Sequence, residues 1–144
     1  MLFKTTKIQE SEFQSLMQDN HDSVIIAVSP SCHLARQAGE CRVAMMYKDY
    51  KKTFVLDLDN VVSAHECAIH GIIEAAKRLK APKPIILLVA GSFGFKKSLK
   101  GKGAHPEMWN HAFDIFQSKG CPCITEVFIH QGGNLINTIC EKYS

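Results

Sequence analysis

Two short, continuous apolar segments place the strongest constraint on the fold of this 144-residue chain. They are residues 23–29 (SVIIAVS) and 85–90 (IILLVA), and neither contains a charged side chain. A run of this length without polar alternation is typical of a strand that is covered on both faces. Because a helical segment separates the two, we expect the strands to be parallel and central in one sheet.

The other periodic patterns predict the remaining elements of an α/β domain. Ser63 and Glu66 have the spacing of a capping box at the start of a helix over 64–80. If the Glu66 carboxylate accepts a hydrogen bond from the Ser63 backbone amide, Glu66 has a structural role at this helix start. The polar connector 48–52 predicts an antiparallel hairpin. The predicted strands are 23–29, 41–47, 53–59, 85–90 and 124–130, and the predicted helices are 11–18, 64–80, 92–100, 106–119 and 135–143.

Composition sets limits on the class of protein. A hydrophobic content of 46% is enough to bury one core without metals or disulfides. No apolar run reaches the length of a membrane span, and the N-terminal residues do not resemble a signal peptide. We therefore expect an intracellular protein of the cytoplasm or nucleus with no membrane partner. The expected organisation is an N-terminal extension with a short helix over 1–21, followed by one domain over 22–144.

The charge is distributed unevenly although the net charge is only +3. No acid occurs between Glu74 and Glu107, a stretch that contains eight basic residues. A cationic region of this kind favours a polyanionic partner, and a solvated lysine-rich loop is the alternative. The bases in the stretch are Lys77, Arg78, Lys80, Lys83, Lys96, Lys97, Lys100 and Lys102.

The order of elements and three motifs resemble the ribonuclease H family from about residue 22 to the C-terminus. His130, a Gly-Gly loop, Asn137 and Glu141 resemble the end of the family sequence, with Glu in place of the usual Asp. Glu66 matches the family's acid near the start of its first long helix. The stretch that contains Lys96, Lys97, Lys100, Lys102 and Trp109 resembles the basic region with which some members grip hybrid duplexes, although Trp109 also fits the apolar stripe of a core helix.

The resemblance implies a mixed five-stranded sheet of three antiparallel strands followed by helix-connected parallel strands. It also implies that two of the four metal-site acids are replaced, by Ser29 on the first strand and by Gly91 after the fourth. The family's hydrolysis needs two divalent cations held by carboxylates. Glu66 and Glu141 could hold at most one weakly bound ion, and the resemblance adds His130 to this residual site. We therefore expect no cofactor, and Mg²⁺ or Mn²⁺ only if nuclease activity is retained.

These observations leave three functions open. The preferred prediction is a degenerate ribonuclease H-like domain, possessing little or no catalysis, that binds a protein partner or nucleic acid, either RNA or an RNA/DNA hybrid. Its predicted nucleic-acid contacts are Lys96, Lys97, Lys100, Lys102 and Asn137. One alternative is a divergent metal-dependent nuclease that cleaves the RNA of such hybrids, with Glu66, His130 and Glu141 as its residual site. The other is a structural module of a viral or retroelement-derived polyprotein.

Overall fold

A computed structural model describes residues 1–91 and 104–141 of the chain. It contains one mixed sheet with helices on both faces. The strands are β1 Leu2–Ile8, β2 Val24–His33, β3 Ala38–Tyr47, β4 Tyr50–Asp59, β5 Ile85–Val89 and β6 Cys123–Ile129. The helices are α1 Phe13–Asp19, α2 Ala64–Lys77, α3 Pro106–Ser118 and α4 Gly133–Cys140.

The sheet has six strands, in the order β1-β6-β5-β2-β3-β4, and the prediction of five was wrong. The additional strand, β1, pairs in parallel with β6 at one edge of the sheet. It belongs to the segment 1–21 that was predicted as an extension. Its partner lies more than 110 residues further along the chain, and most of its side chains are exposed, so no local apolar run marks it.

The central pairings follow the predicted pattern. β2 pairs in parallel with β5, and β3 pairs with β2 and with β4 in antiparallel fashion. The hairpin between β3 and β4 is tighter than the connector 48–52 suggests, because Tyr47 pairs directly with Tyr50. Lys48 in this turn has a φ of 53°, in the left-handed region. The α/β class, the three antiparallel strands and the parallel pair are therefore confirmed.

Two apolar layers cover the sheet. On one face, α2 and α3 bury Ile69, Ile72, Trp109 and Phe116 against β2 and β5. On the other face, α4 packs on alternate residues of the same strands, and α1 adds partly buried side chains. This double coverage explains the uninterrupted apolar character of β2 and β5.

Close packing between α2 and β3 requires a glycine at position 71. A Cβ atom there would lie 2.4 Å from the Cys41 sulfur and 3.0 Å from a Val43 methyl group. The helix therefore approaches the sheet more closely than any side chain allows. Among the described residues, no helix combines the length and the apolar character that a membrane crossing requires.

Candidate functional site

Ser29 and Gly91, the two positions at which the resemblance predicts replaced acids, lie at the same edge of the sheet. We call this the carboxyl edge, where β2, β5 and β6 run outward, and we call the opposite end the amino edge. Ala27 pairs with Leu88, so Ser29 and Gly91 each follow this pair by two or three residues. Beyond Ala27, the described pairing of β2 is with β3 alone.

Ser29 contacts α4, a helix that is remote from it in the sequence. Its hydroxyl donates a hydrogen bond to the Oδ1 atom of Asn137 on α4. One turn later, the Cys140 thiol lies 3.5 Å from the carbonyl oxygen of Ala27. The residue of α4 that meets Ser29 is therefore Asn137, while Glu141 follows the helix end and is exposed. Both groups at this contact are neutral.

Glu66 has a structural role at the start of α2. Its backbone N–H donates to the Ser63 hydroxyl at 3.1 Å, as the capping pattern predicts. Its carboxylate accepts a hydrogen bond from the Val62 backbone N–H at 3.2 Å. The predicted partner was the Ser63 amide, one residue further on. Ser63 itself has the extended backbone that is usual for the residue before a helix.

The cap makes a direct prediction for stability. Ser63→Ala is expected to lower the free energy of unfolding by about 1 kcal/mol, because the Glu66 amide then loses its acceptor. Glu66→Gln keeps an oxygen acceptor for Val62 and should cost less, about 0.5 kcal/mol. Urea denaturation of both variants measures the difference. Equal losses would contradict this ranking and show that the carboxylate charge stabilises the start of α2 as much as the hydroxyl cap does.

His130 and Glu141 are both exposed. His130 occupies the turn after β6, and its backbone N–H donates to the Ile8 carbonyl at 2.9 Å, which ties the turn to β1. The Glu141 N–H donates to the Thr138 carbonyl at 3.3 Å. Among the described residues, no three His, Cys, Asp or Glu side chains converge on one point where a metal could bind.

A cluster of cations lies at the amino edge, away from Ser29. Lys52, Arg78, Lys80 and Lys83 line one cavity there. The Lys119 ammonium joins them by donating to the Leu79 carbonyl at 3.0 Å. We call this cluster the cationic face; its members are Lys48, Lys52, Arg78, Lys80, Lys83 and Lys119.

The hairpin and the end of α2 both contribute to the cationic face. The Lys48 and Lys83 ammonium groups lie 5.3 and 5.5 Å from the centroid of the Tyr47 ring. Two acids lie beside them, Asp22 and Asp49. The acid-free stretch indicated Arg78, Lys80 and Lys83, but no sequence pattern indicated that Lys48 and Lys52 join them. Only the pairing of β3 and β4 against α2 brings the hairpin lysines there.

The remaining residues predicted to contact nucleic acid either lie outside the described part of the chain or make contacts within the protein. Lys96, Lys97, Lys100 and Lys102, together with the predicted helix 92–100, lie outside the described residues. Asn137 is engaged by Ser29. The Trp109 ring is fully buried, so it belongs to the core and offers no face to a base.

The chain matches no protein-family model, and no curated protein is significantly similar to it in sequence.

Proposed function

We propose that this chain is a ribonuclease H-like domain that lacks two-metal hydrolysis and acts by binding nucleic acid. The observation that carries the proposal is the contrast between the two edges of the sheet. At the carboxyl edge, the neutral Ser29 hydroxyl meets the neutral Asn137 amide. At the amino edge, six cations gather beside two acids.

The carboxyl edge is poorly suited to hydrolysis. Two divalent cations require several carboxylate oxygens, because Mg²⁺ and Mn²⁺ are hard ions that hold oxygen ligands of negative charge. Ser29 and Gly91 supply none, and the Glu66 carboxylate is engaged by the Val62 amide. The order of β4-β3-β2-β5-β6, antiparallel and then parallel, is compatible with the family fold that the sequence resembles.

The cationic face suits a polyanion. Lysine and arginine side chains that neutralise phosphates release condensed counterions, and this release drives association at low salt. The side chains of Lys52 and Lys80 form no ion pair with any described residue, so no internal partner has to be displaced. A nucleic acid is therefore favoured over a protein partner, which would need acids arranged to match.

Salt dependence tests the proposal. Fluorescence anisotropy with a labelled RNA/DNA hybrid, single-stranded RNA and duplex DNA should show an affinity that falls about 100-fold between 50 and 200 mM salt, if about four phosphates are neutralised. Lys52→Glu with Lys80→Glu should weaken binding at least about tenfold at the lower salt concentration. Lys4→Glu with Arg36→Glu changes the net charge equally at exposed sites elsewhere and should have an effect of about twofold or less.

Other outcomes favour the alternatives. Equal losses in both double variants would show attraction by net charge alone, without a defined face. Retention on none of the nucleic acids would contradict the proposal and favour a structural module. Cleavage of the hybrid in Mg²⁺ or Mn²⁺ that Glu66→Gln abolishes would favour the divergent nuclease.

A further inference from the structure

The cationic face surrounds a cavity of about 300 Å³ at the amino edge. Its apolar lining includes Val24, Met45, Met46 and Leu79. The volume is at the lower end of the range for small-molecule pockets, about 300 to 1,000 Å³. The cavity can therefore enclose one ring system rather than a large ligand.

Two tyrosines from the hairpin border this cavity. Tyr47 and Tyr50 pair across the turn between β3 and β4. The Tyr47 hydroxyl donates to Asp22 at 2.6 Å, and Asp22 also accepts from the Lys83 ammonium at 3.2 Å. The Tyr47 ring is thus fixed by its hydroxyl, whereas the Tyr50 side chain is 67% exposed. An exposed ring beside an apolar lining can stack on a planar ligand.

The cations of the lining are placed to hold an anionic group. The Arg78 guanidinium lies 3.6 Å from the centroid of the Phe54 ring, which fixes its position by a cation–π contact. Lys52 and Lys80 are free of ion pairs with described residues. None of the described residues that line the cavity is an acid. A phosphate can accept from several such donors at once, whereas a carboxylate has fewer oxygens to share.

We propose that this cavity binds a nucleotide, with its base between Tyr50 and the methionine and leucine side chains and its phosphate on Lys52, Arg78 and Lys80. The inference rests on the proposed nucleic-acid binding and gives it a specific contact. The nucleotide is either a free mononucleotide or an unpaired nucleotide within a strand, since both present the same ring and phosphate.

Methionine methyl groups provide a direct probe. In protein carrying ¹³C-methyl methionine, the NMR signal of Met45 should shift on titration with adenosine 5′-monophosphate, because the base ring lies against this side chain. The Met108 signal, from α3, should not shift. Inorganic phosphate alone should fail to reproduce this shift. If only a single-stranded oligoadenylate produces it, the nucleotide is one held within a strand.

A variant that fills the cavity tests the contact without changing charge. Ala81 is exposed at the cavity margin, and Ala81→Trp should weaken binding of the adenylate probe about tenfold, comparable to the loss of one stacked base. Val62→Trp adds the same ring at an exposed site outside the lining and should leave binding unchanged. Tyr50→Ala should weaken binding several-fold, which provides a second test if Ala81→Trp fails to fold.

The inference and the proposed function fail separately. An unmoved Met45 signal with both adenylate probes, or full affinity in Ala81→Trp and Tyr50→Ala, would overturn the nucleotide site. If polynucleotide binding still responds to salt and to Lys52→Glu with Lys80→Glu, the proposed function stands without the cavity.

Discussion

Glu126→Gln is expected to stabilise the protein at pH 8 by about 2 to 3 kcal/mol and to change its stability little at pH 4. Glu126 lies in the middle of β6, between Thr5 of β1 and Leu87 of β5, and is only 4% exposed. Among the described residues, no hydrogen-bond donor reaches its Oε2 atom. Burial raises the pKa of this carboxyl from 4.5 to about 7.

The direction of the effect follows from proton binding. Since the folded pKa lies above the unfolded one, the folded state retains the proton between about pH 4.5 and 7 while the unfolded state has lost it. The contribution of Glu126 to stability is therefore complete below pH 4.5 and is lost as the pH rises to about 7. Glutamine has no proton to lose, although its buried amide also needs hydrogen-bond partners, which limits the gain.

Urea denaturation at pH 4, 6 and 8 measures this effect as the difference between variant and wild type. The difference removes contributions from the other titrating groups. Asp114→Asn, an exposed carboxylate on α3, is the matched control and should shift stability by about 0.5 kcal/mol or less at each pH. A variant that is less stable than wild type at pH 8 would show that the Glu126 charge is stabilised in the fold.

Trp109→Ala is expected to lower the free energy of unfolding by about 3 to 5 kcal/mol. The ring is completely buried on α3, within the apolar layer that α2 and α3 form on one face of the sheet. Its indole Nε1–H donates to the Nε2 atom of His65 at 3.0 Å. Removing the ring leaves a large cavity and also takes the donor away from a partly buried imidazole.

Trp109→Phe separates these two effects. Phenylalanine keeps most of the apolar volume but has no N–H, so the expected loss is smaller, about 1 to 3 kcal/mol. Asn110→Ala, at an exposed position on the same helix, is the control and should cost about 0.5 kcal/mol or less. Denaturation at constant pH measures all three. Equal losses for Trp109→Ala and Trp109→Phe would show that the hydrogen bond outweighs the packing.

The bond to Trp109 has a pH dependence opposite to that of Glu126. Burial, followed by the neighbouring charge of His105, lowers the pKa of His65 below 6.5. The neutral imidazole, which accepts from the indole, is therefore favoured in the folded state. This contribution to stability is present above pH 6.5 and is lost as the pH falls through the folded pKa. Measurements on Trp109 variants are therefore best made near pH 8.

The elements that the sequence predicted best are those with a strong local pattern. The helix predicted over 64–80 is observed at Ala64–Lys77, and the strand predicted over 85–90 is observed at Ile85–Val89. In the helix one continuous face is buried, and in the strand every residue is buried. In both cases the pattern of burial agrees with the secondary structure that the local sequence favours. β1 was missed because most of its residues are exposed and because β6, the one strand that pairs with it in the described part of the chain, is remote in sequence.

The features of the candidate site also divide into those that the sequence predicted and those that it did not. The resemblance predicts that Ser29 and Gly91 replace acids of a two-metal site, and this assignment stays a prediction. The sequence also indicated half of the cationic cluster from the absence of acids after Glu74. It did not show that Asn137, rather than Glu141, meets Ser29, since the spacing along a helix does not state how that helix lies on the sheet.

The sequence by itself determined the α/β class and the central parallel strands. Only the tertiary structure decided that β1 completes the sheet, that Ser29 bonds Asn137 and that the hairpin lysines join Arg78 and Lys80 around a cavity. The physical reason is the range of the interactions. Periodic burial and capping act over a few residues, whereas these contacts join segments that are tens of residues apart and depend on how whole elements pack.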